Sequence, residues 1–133
     1  MAKKVREPAH PKPEVLIERM KKERYGTIPK TLELIAKTDP EFAEKYDDLF
    51  QLLMTKDKTL KVRTKELIVM GILASKGEYD ALGEHINRAL KIGIPRKAII
   101  ETLELSMLYG GGAPALIFGG LTLIKSLESK AGR

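Results

Sequence analysis

The sequence contains no cysteine among its 133 residues, and its aromatic residues are few. Without a thiol the chain cannot form a disulfide, and it cannot use a thiolate as a nucleophile or redox centre. Only three Phe and four Tyr occur, and Trp is missing. Proteins that bind nucleic acid commonly combine basic residues with aromatic ones, so this scarcity argues against that function.

What the chain does contain fits one folded domain. Hydrophobic residues make up 43% and charged residues 32%, which is enough to fill an interior and to cover a surface. The first residues lack the apolar region of an export signal, and the longest uninterrupted apolar stretch, residues 67–74, is shorter than the roughly 20 residues that span a bilayer. These absences predict a cytoplasmic protein without a membrane segment.

The net charge of +6 is concentrated at the N-terminus. Residues 1–26 hold eight basic and four acidic side chains and so carry +4 of it. Pro8, Pro11 and Pro13 predict an extended start, followed by a short charged helix over residues 14–24. We interpret residues 1–26 as a solvated basic extension rather than a nucleic-acid site, and residues 27–130 as the domain.

Apolar residues recur at spacings of three and four through the rest of the chain, which is typical of helices with one buried face. Glycines and prolines separate these segments, and no alternating strand pattern is present. Helix starts are predicted near residues 14, 29, 39, 59, 78, 95 and 114. The sequence therefore predicts an all-α helical bundle of about six to seven helices.

Three patterns predict where these helices pack. The helix that starts near Asp39 has one apolar face, predicted to be buried, formed by Phe42, Tyr46, Leu49, Phe50 and Leu53. The next helix is apolar almost all round from Leu67 onward, which predicts a central position. The glycine pair at 119–120 destabilises a helix interior, so it predicts a close approach by a neighbouring helix or subunit.

His85 is the first candidate for chemistry, because the other histidine, His10, lies in the proline-rich start. Its spacing from Leu82 and Ala89 directs the ring toward the buried side of its helix, which fits a core histidine as well as a catalytic one. Glu66 lies at the entry of an apolar helical run. If buried there, its carboxylate needs a partner such as Arg63 or an imidazole from another helix; otherwise it is a surface residue.

Other kinds of site are disfavoured. His85 has no second histidine at ligand spacing, so no metal and no cofactor are predicted. The stretch YGGGAPALIFGG superficially suggests a phosphate loop, but no strand precedes it and no Lys-Ser/Thr follows it. It is better interpreted as a connection between helices, although its backbone amides could still face a substrate carboxylate.

Residues 63–121 resemble the carboxymuconolactone decarboxylase and alkylhydroperoxidase D-like family. The resemblance depends on Arg-x-x-Glu-Leu-Ile at 63–68, on His-x-x-x-Ala-Leu-x-x-Gly at 85–93, and on Glu101, Tyr109-Gly110 and Pro114. The redox branch of the family has a Cys-x-x-Cys pair just before the histidine, and here Glu78 and Ala81 occupy those positions. The chain is therefore similar to the cysteine-less, decarboxylase-like branch, without peroxidase activity.

This resemblance implies an alkylhydroperoxidase D-like fold that assembles as a homo-trimer or homo-hexamer, with sites near the subunit interfaces. It implies Glu66 and His85 as catalytic residues, Arg63 and Tyr109 as substrate-binding residues, and a small carboxylated molecule as the ligand. Two departures concern the pocket wall: Ala98 stands where the family often has glutamate, and the Gly-Pro connection is about one residue longer.

Two functions of different classes follow. The first is a cofactor-independent carboxy-lyase, in which a dienolate left by loss of carbon dioxide takes a proton from His85 while Glu66 orients the imidazole and keeps it protonated. The second is a non-catalytic oligomeric protein that binds a small molecule on the same scaffold. Nucleic-acid binding through residues 1–24 is a third, less favoured reading.

Overall fold

A computed structural model of the chain describes residues 10–131, with side chains through residue 129. Seven α-helices and one π-helical turn make up most of these residues, and no strand occurs among them. In chain order they are α1 (Pro13–Glu23), α2 (Lys30–Thr38), α3 (Pro40–Met54), α4 (Val62–Lys76), α5 (Tyr79–Lys91), α6 (Arg96–Ser106), the π turn (Met107–Gly111) and α7 (Gly112–Ala131). The predicted all-α fold of about six to seven helices is confirmed; residues 1–9 of the predicted extension lie outside the described residues.

Packing divides the chain into two compact units, and the division falls between Lys56 and Asp57. The first unit contains α1 to α3 and the second contains α4 to α7. The predicted boundary after residue 26 is therefore not where the packing divides. Residue 27 as the start of the predicted helical domain stays a prediction.

The first unit has its own hydrophobic core. Its buried members come from all three helices and the connection before α2: Leu16, Ile17, Met20, Ile28, Leu32, Ala36 and Ala43. The short charged helix predicted over residues 14–24 is present as α1, and its apolar side supplies three of these residues. Burial of that side stabilises a helix too short to be stable alone.

The predicted buried face of α3 is wrong. Phe42, Tyr46, Leu49 and Leu53 are each about half exposed in the chain, while Ala43 and Asp47 are fully buried. Ala43 packs into the core of the first unit. Asp47 accepts hydrogen bonds from Arg19 of α1 and from Arg24, which directly follows α1, so a charged residue takes the buried position. Apolar periodicity alone could not reveal that a charged residue lies on the buried face of α3 in place of the apolar ones.

A polar network surrounds Asp47. Its Oδ1 accepts a hydrogen bond from Arg24 Nη1 at 2.7 Å, and its Oδ2 accepts from Arg19 Nε at 3.1 Å. Gln51 Nε2 donates to Asp47 at 3.2 Å and also to the carboxylate of Glu23. Burial, and then the hydrogen bond to Asp47 and its charge, raise the pKa of Glu23 to about 7 against the opposing effect of the two arginines.

Glu23→Gln is expected to stabilise the protein in alkaline solution. Because the folded-state pKa of Glu23 lies above its ordinary value of 4.5, the folded chain binds the extra proton more tightly. The contribution of Glu23 to stability is therefore fully present below pH 4.5 and is lost as the pH rises through 7. The glutamine keeps the neutral form, so it should add about 1–2 kcal/mol at pH 8 and about nothing at pH 5, measured by urea unfolding.

Glu18→Gln is the matched control on the same helix. The Glu18 side chain is well exposed and lies 4.0 Å from Lys21, so its replacement should change stability little at either pH. If Glu23→Gln and Glu18→Gln changed the free energy of unfolding equally at pH 8, as they should at pH 5, the role assigned to Glu23 would be contradicted.

The second unit has a larger core shared by all four of its helices. Its buried members are Met70, Ala74, Leu82, Ile86, Ala89, Ile94, Ile99, Leu103, Ala115 and Leu123. Helix α4 packs against α5 and α6, and α7 packs across the same two helices. Gly77 ends α4 in a left-handed conformation at φ +72°, which allows the short connection into α5.

The predicted central position of α4 is right for only one side of the helix. Glu66, Met70 and Ala74 form a buried stripe at intervals of four residues. Ile68 and Ile72, on another side, are about half exposed within the single chain. The neighbouring helices thus cover one side of α4 and leave an apolar side outward.

The glycine-rich segment after α6 is a regular turn. Helix α6 ends at Ser106, and the π turn closes with a hydrogen bond from the Gly112 N–H to the Met107 carbonyl. A Cβ added at Gly111 would lie 3.0 Å from the Ser75 Cα, so the turn packs tightly on α4. The segment at residues 107–111 therefore connects α6 to α7 as a tightly packed turn.

The two glycines of α7 behave differently. A Cβ at Gly119 would lie 2.8 Å from Leu103 Cδ2, whereas a Cβ at Gly120 would meet nothing within 4 Å. The predicted close approach by a neighbouring helix is confirmed for Gly119 and wrong for Gly120 within the single chain. α6 and α7 therefore come close together at Gly119.

By length and composition, the helical run Arg96–Ser129 is apolar enough to cross a membrane, with a mean hydropathy of 1.5 in its most apolar window. The prediction of no membrane segment depended on uninterrupted apolar stretches and therefore did not consider this longer, interrupted one. One such run is weak evidence, because core helices of soluble proteins also meet that criterion. This run is also interrupted by the π turn and by Gly112 at φ +63°. The absence of a membrane segment stays a prediction.

Candidate functional site

Glu66 and His85 meet between α4 and α5. His85 Nδ1 lies 2.7 Å from Glu66 Oε2, a short hydrogen-bond distance. The Glu66 side chain is 2% exposed, because it continues the buried stripe of α4 that leads to Met70 and Ala74. The structure thus brings together the two residues that the sequence analysis singled out for catalysis.

The position of His85 on α5 leaves its side chain partly exposed. The residue lies three positions after Leu82 and four before Ala89, both fully buried, yet its side chain is 16% exposed. A carboxylate at Nδ1 favours the tautomer that carries its proton there. Nε2 is then the ring nitrogen that can exchange a proton with a bound molecule.

A third charged residue, Arg88, completes the site. Arg88 Nη1 lies 3.5 Å from Glu66 Oε1, and the Arg88 side chain is buried. Arg88 was not predicted: the partners expected for a buried Glu66 were Arg63, at i−3, or an imidazole from another helix, and the imidazole is the one observed. Arg88 lies three residues after His85 on the same helix, and that spacing was a signal that could have identified it.

The two predicted substrate-binding residues are positioned differently. Arg63 Nη2 donates to the Gly93 carbonyl at 3.3 Å, just beyond the C-terminal end of α5. Tyr109 lies in the π turn and is 84% exposed. The described contacts therefore do not join Arg63 or Tyr109 to the Glu66–His85 pair, and their substrate-binding roles stay predictions.

An open groove of about 620 Å³ runs along the α4 and α6 side of this unit. Its walls are mostly apolar, with Glu101, Ser106 and Tyr109 as polar members. Ser106 Oγ lies 2.6 Å from Ser75 Oγ and donates to the Gly71 carbonyl at 3.0 Å, which joins α6 to α4 beneath the groove. Glu66 and His85 do not line it.

The residue types bear on two kinds of chemistry, thiol-based redox reactions and metal binding. With no cysteine, thiol-dependent peroxidase chemistry is excluded. Within residues 10–129, no group of three His, Asp or Glu side chains is arranged to hold a metal ion. Glu66 and His85 form a hydrogen-bonded carboxylate–imidazole pair, in which Glu66 is buried and His85 is partly exposed.

Over the described residues the fold is helical, and this His–Glu pair lies between neighbouring helices of a protein without cysteine. A model of the carboxymuconolactone decarboxylase family matches residues 40–117, which is more than half of the chain. The chain belongs to the carboxymuconolactone decarboxylase family. The family resemblance found in the sequence is confirmed.

The chain is also similar to individual proteins and solved structures. An uncharacterized protein of Methanocaldococcus jannaschii is 32% identical over 75 residues, covering 51% of this chain and 72% of that protein. A carboxymuconolactone decarboxylase family protein from Legionella pneumophila, solved in its apo form, superposes with a TM-score of 0.67 at 26% identity, covering 88% of this chain and 96% of that one. A Burkholderia xenovorans structure that carries the carboxymuconolactone decarboxylase name has a TM-score of 0.73 at 19% identity, covering 90% and 97%, and shares the fold.

Proposed function

We propose that this protein is a cofactor-independent carboxy-lyase, or a related enzyme, acting on a small carboxylated or lactone substrate. The observation that carries the proposal is the 2.7 Å contact between Glu66 and His85, with Glu66 buried and the ring partly accessible. A carboxylate that holds one ring nitrogen leaves the other aimed at a ligand, as in many acid–base sites.

The chemistry requires one proton donor. When the C–C bond to the carboxylate breaks, its electron pair stays on the substrate as a dienolate and carbon dioxide leaves. His85, which in this proposal carries protons on both ring nitrogens, then delivers the Nε2 proton to that carbanion, and solvent restores the proton afterwards. Glu66 keeps the ring oriented throughout, since its Oε2 holds Nδ1.

Substrate binding is assigned by charge and position. Arg63 is the proposed partner of a substrate carboxylate, and Tyr109 is the proposed wall residue at the glycine-rich turn. Each acts in this proposal only if the ligand or a neighbouring subunit reaches it, because neither contacts the Glu66–His85 pair within the described chain. The proposed reaction uses no cofactor and no metal.

The alternative is a non-catalytic oligomeric protein that binds a small molecule. The 620 Å³ groove favours it, since its apolar walls could hold a ligand away from Glu66 and His85. A ligand that binds only the folded chain would then stabilise the protein without being consumed.

The deciding experiment follows carbon dioxide release from γ-carboxymuconolactone by the wild type, His85→Gln and Glu66→Gln. Loss of a proton donor, or of the group that orients it, is expected to lower kcat by about 10²–10⁴-fold. His10→Gln and Glu104→Gln are the matched controls, because they replace the other histidine and an exposed glutamate of α6.

The outcomes separate the two functions. Turnover that falls in His85→Gln and Glu66→Gln but not in the controls supports a lyase that uses this pair. Turnover retained in both variants would sink the proposed mechanism. No turnover in the wild type, together with a ligand-dependent rise in melting temperature, would move the assignment to the binding function.

We propose further that the protein is a homo-oligomer, a trimer or a hexamer. Large apolar side chains lie exposed on the second unit of the single chain: Ile68, Ile72, Leu105, Leu108, Ile117, Phe118, Leu121 and Ile124. Extensive exposed apolar surface on a single chain often marks an interface, so a second copy is the proposed cover. We also propose that the protein acts in the cytoplasm and has no membrane or nucleic-acid partner.

A further inference from the structure

We propose that α7 forms the contact between two copies of this chain, and that the two α7 helices cross at Gly120 about a twofold axis. This contact rests on the homo-oligomer proposed above, and it adds which helix meets the second copy and how the two copies are related. Three features of α7 support it: a glycine without a use inside the chain, an uncharged surface around that glycine, and the apolar area of that surface.

The two neighbouring glycines of α7 face different sides of the helix. Gly119 is buried, and a Cβ added there would lie 2.8 Å from Leu103, so packing inside the chain accounts for that glycine. Gly120 is partly exposed with a helical backbone, and an added Cβ would meet nothing within 4 Å. Within the described residues, neither backbone conformation nor packing requires a glycine at position 120, where glycine destabilises the helix relative to alanine.

Large apolar side chains surround Gly120. Ile117 and Ile124 lie three positions before it and four positions after it, so helix geometry places them on the same side of α7. Both are about half exposed, as is Leu121 next to the glycine. A residue without a side chain between large side chains forms a notch, and the backbone of another helix can approach closely there.

The chemistry of this surface indicates its partner. Residues 105–124 include no charged residue, so a nucleic acid or a charged peptide would meet no complementary charge there. A lipid surface is bound through large apolar side chains, and a glycine among them only reduces that contact. A second copy presents an equally uncharged helix with the same notch, so each Gly120 makes room for the backbone of the other copy.

The position of the notch determines how the two copies are related. The notch and the large side chains lie on one face of α7, so this face is complementary to itself, as in an isologous contact about a twofold axis. Such a contact places Gly120 against the Gly120 of the second copy. A ring of three subunits has no twofold axis, so of the two assemblies proposed above this contact requires the hexamer.

The exposed apolar area is sufficient for a stable contact. The half-exposed side chains of α7, Ile117, Phe118, Leu121 and Ile124, offer on the order of 400 Å² per copy, about half of what each partner buries in a stable interface. The other exposed apolar side chains of the second unit, named above, raise the total to on the order of 800 Å². The contact therefore extends from α7 onto neighbouring apolar side chains.

The first test is the mass of the protein in solution. Gly120→Leu fills the notch in both copies at once, so the dissociation constant should rise by about 10-fold or more, because overpacking a close contact is unfavourable. Since a Cβ at position 120 meets nothing within 4 Å in the single chain, the circular dichroism spectrum should stay that of the wild type. Light scattering and analytical ultracentrifugation over a dilution series measure the mass and the dissociation constant.

Ser129→Leu is the matched control for this variant. It introduces the same side chain at an exposed position on another side of α7, so the mass and the dissociation constant should stay those of the wild type. Weaker association in Ser129→Leu equal to that in Gly120→Leu would overturn the assignment of the contact to the Gly120 side of the helix.

Gly120→Ala distinguishes a contact from an unused surface. In a single chain, alanine is the better helix former and meets no neighbour, so it should only raise the melting temperature. At a helix crossing, the two added methyl groups separate the backbones, so alanine should also weaken association, although less than leucine does. A raised melting temperature with an unchanged dissociation constant would overturn the proposal.

The absence of cysteine makes the twofold relation directly testable. Gly120→Cys introduces the only thiol of each chain. Oxidation with copper phenanthroline should link two chains, because a twofold crossing at this residue brings the two Cα atoms within the about 4.4–6.8 Å that a disulfide spans. Ser129→Cys is the control and should remain unlinked. The measurement needs no change in mass, so it is decisive even if Gly120→Leu does not fold.

The outcomes distinguish this contact from the assembly and from the reaction proposed above. A monomeric wild type would overturn both the homo-oligomer and this contact, and vesicle binding by that monomer would assign the α7 surface to lipid instead. An oligomeric wild type that keeps its mass in Gly120→Leu and gives no link in Gly120→Cys would overturn the contact at α7 alone. None of these measurements requires turnover, so failure of the proposed reaction would leave the result for the contact unchanged.

Discussion

Asp47→Ala is expected to lower the free energy of unfolding by about 3–5 kcal/mol, the range for breaking a buried ion pair from one side. Asp47 is fully buried and accepts hydrogen bonds from Arg24, Arg19 and Gln51. Its loss leaves the Arg24 guanidinium, itself 4% exposed, in an interior that holds less compensating negative charge. Urea unfolding followed by circular dichroism measures the change.

The adjacent residue supplies the control for this prediction. Asp48 is 55% exposed and lies 3.7 Å from Arg19 Nη2, so Asp48→Ala should cost no more than about 1 kcal/mol. Both changes remove one carboxylate from the same turn of α3, so helix propensity affects them alike. Similar losses in the two variants would refute the network as the stabilising feature of the first unit.

Leu82→Ala is expected to cost about 2–5 kcal/mol, because it combines the lost transfer free energy with a cavity in a close-packed core. Leu82 is fully buried in the core of the second unit, one turn before His85 on α5. The loss should therefore appear in stability and also in the order of the site that α5 carries. Thermal unfolding gives the first quantity, and the line width of the His85 NMR signal reports the second.

Leu34→Ala makes the same chemical change at a site that is largely exposed on α2. Its effect on stability should stay within about 0.5 kcal/mol, as for most surface substitutions. A loss in Leu34→Ala that matched the loss in Leu82→Ala would mean that α2 is covered in solution by a contact absent from the single chain.

The helices and one pair of site residues could be predicted from local signals. Asp39 caps α3 by accepting a hydrogen bond from the Phe42 N–H, and Gly77 ends α4, as their residue types indicate. Glu66 and His85 stood out as titratable residues at core spacing. Local signals succeeded there because caps and helix periodicity depend on residues within a few positions of each other.

Other features depended on partners distant in the sequence. The side of α3 that is buried was mispredicted, because Asp47 is satisfied by Arg19 and Arg24 some 23 to 28 residues away. Arg88 was overlooked for the same reason. Its spacing from His85 places it on the same side of α5, but that spacing could not show that both residues meet one carboxylate of another helix.

Residue types and short spacings are enough to predict the helical class, the absence of thiol chemistry and the family. Three features emerge only when the helices pack: Glu66 and His85 lie within hydrogen-bond distance, Arg88 joins them, and Arg63 turns to Gly93 instead. A buried charge is stabilised by whichever partner the packing of helices brings to it. That choice is made by contacts between helices and not by local propensity.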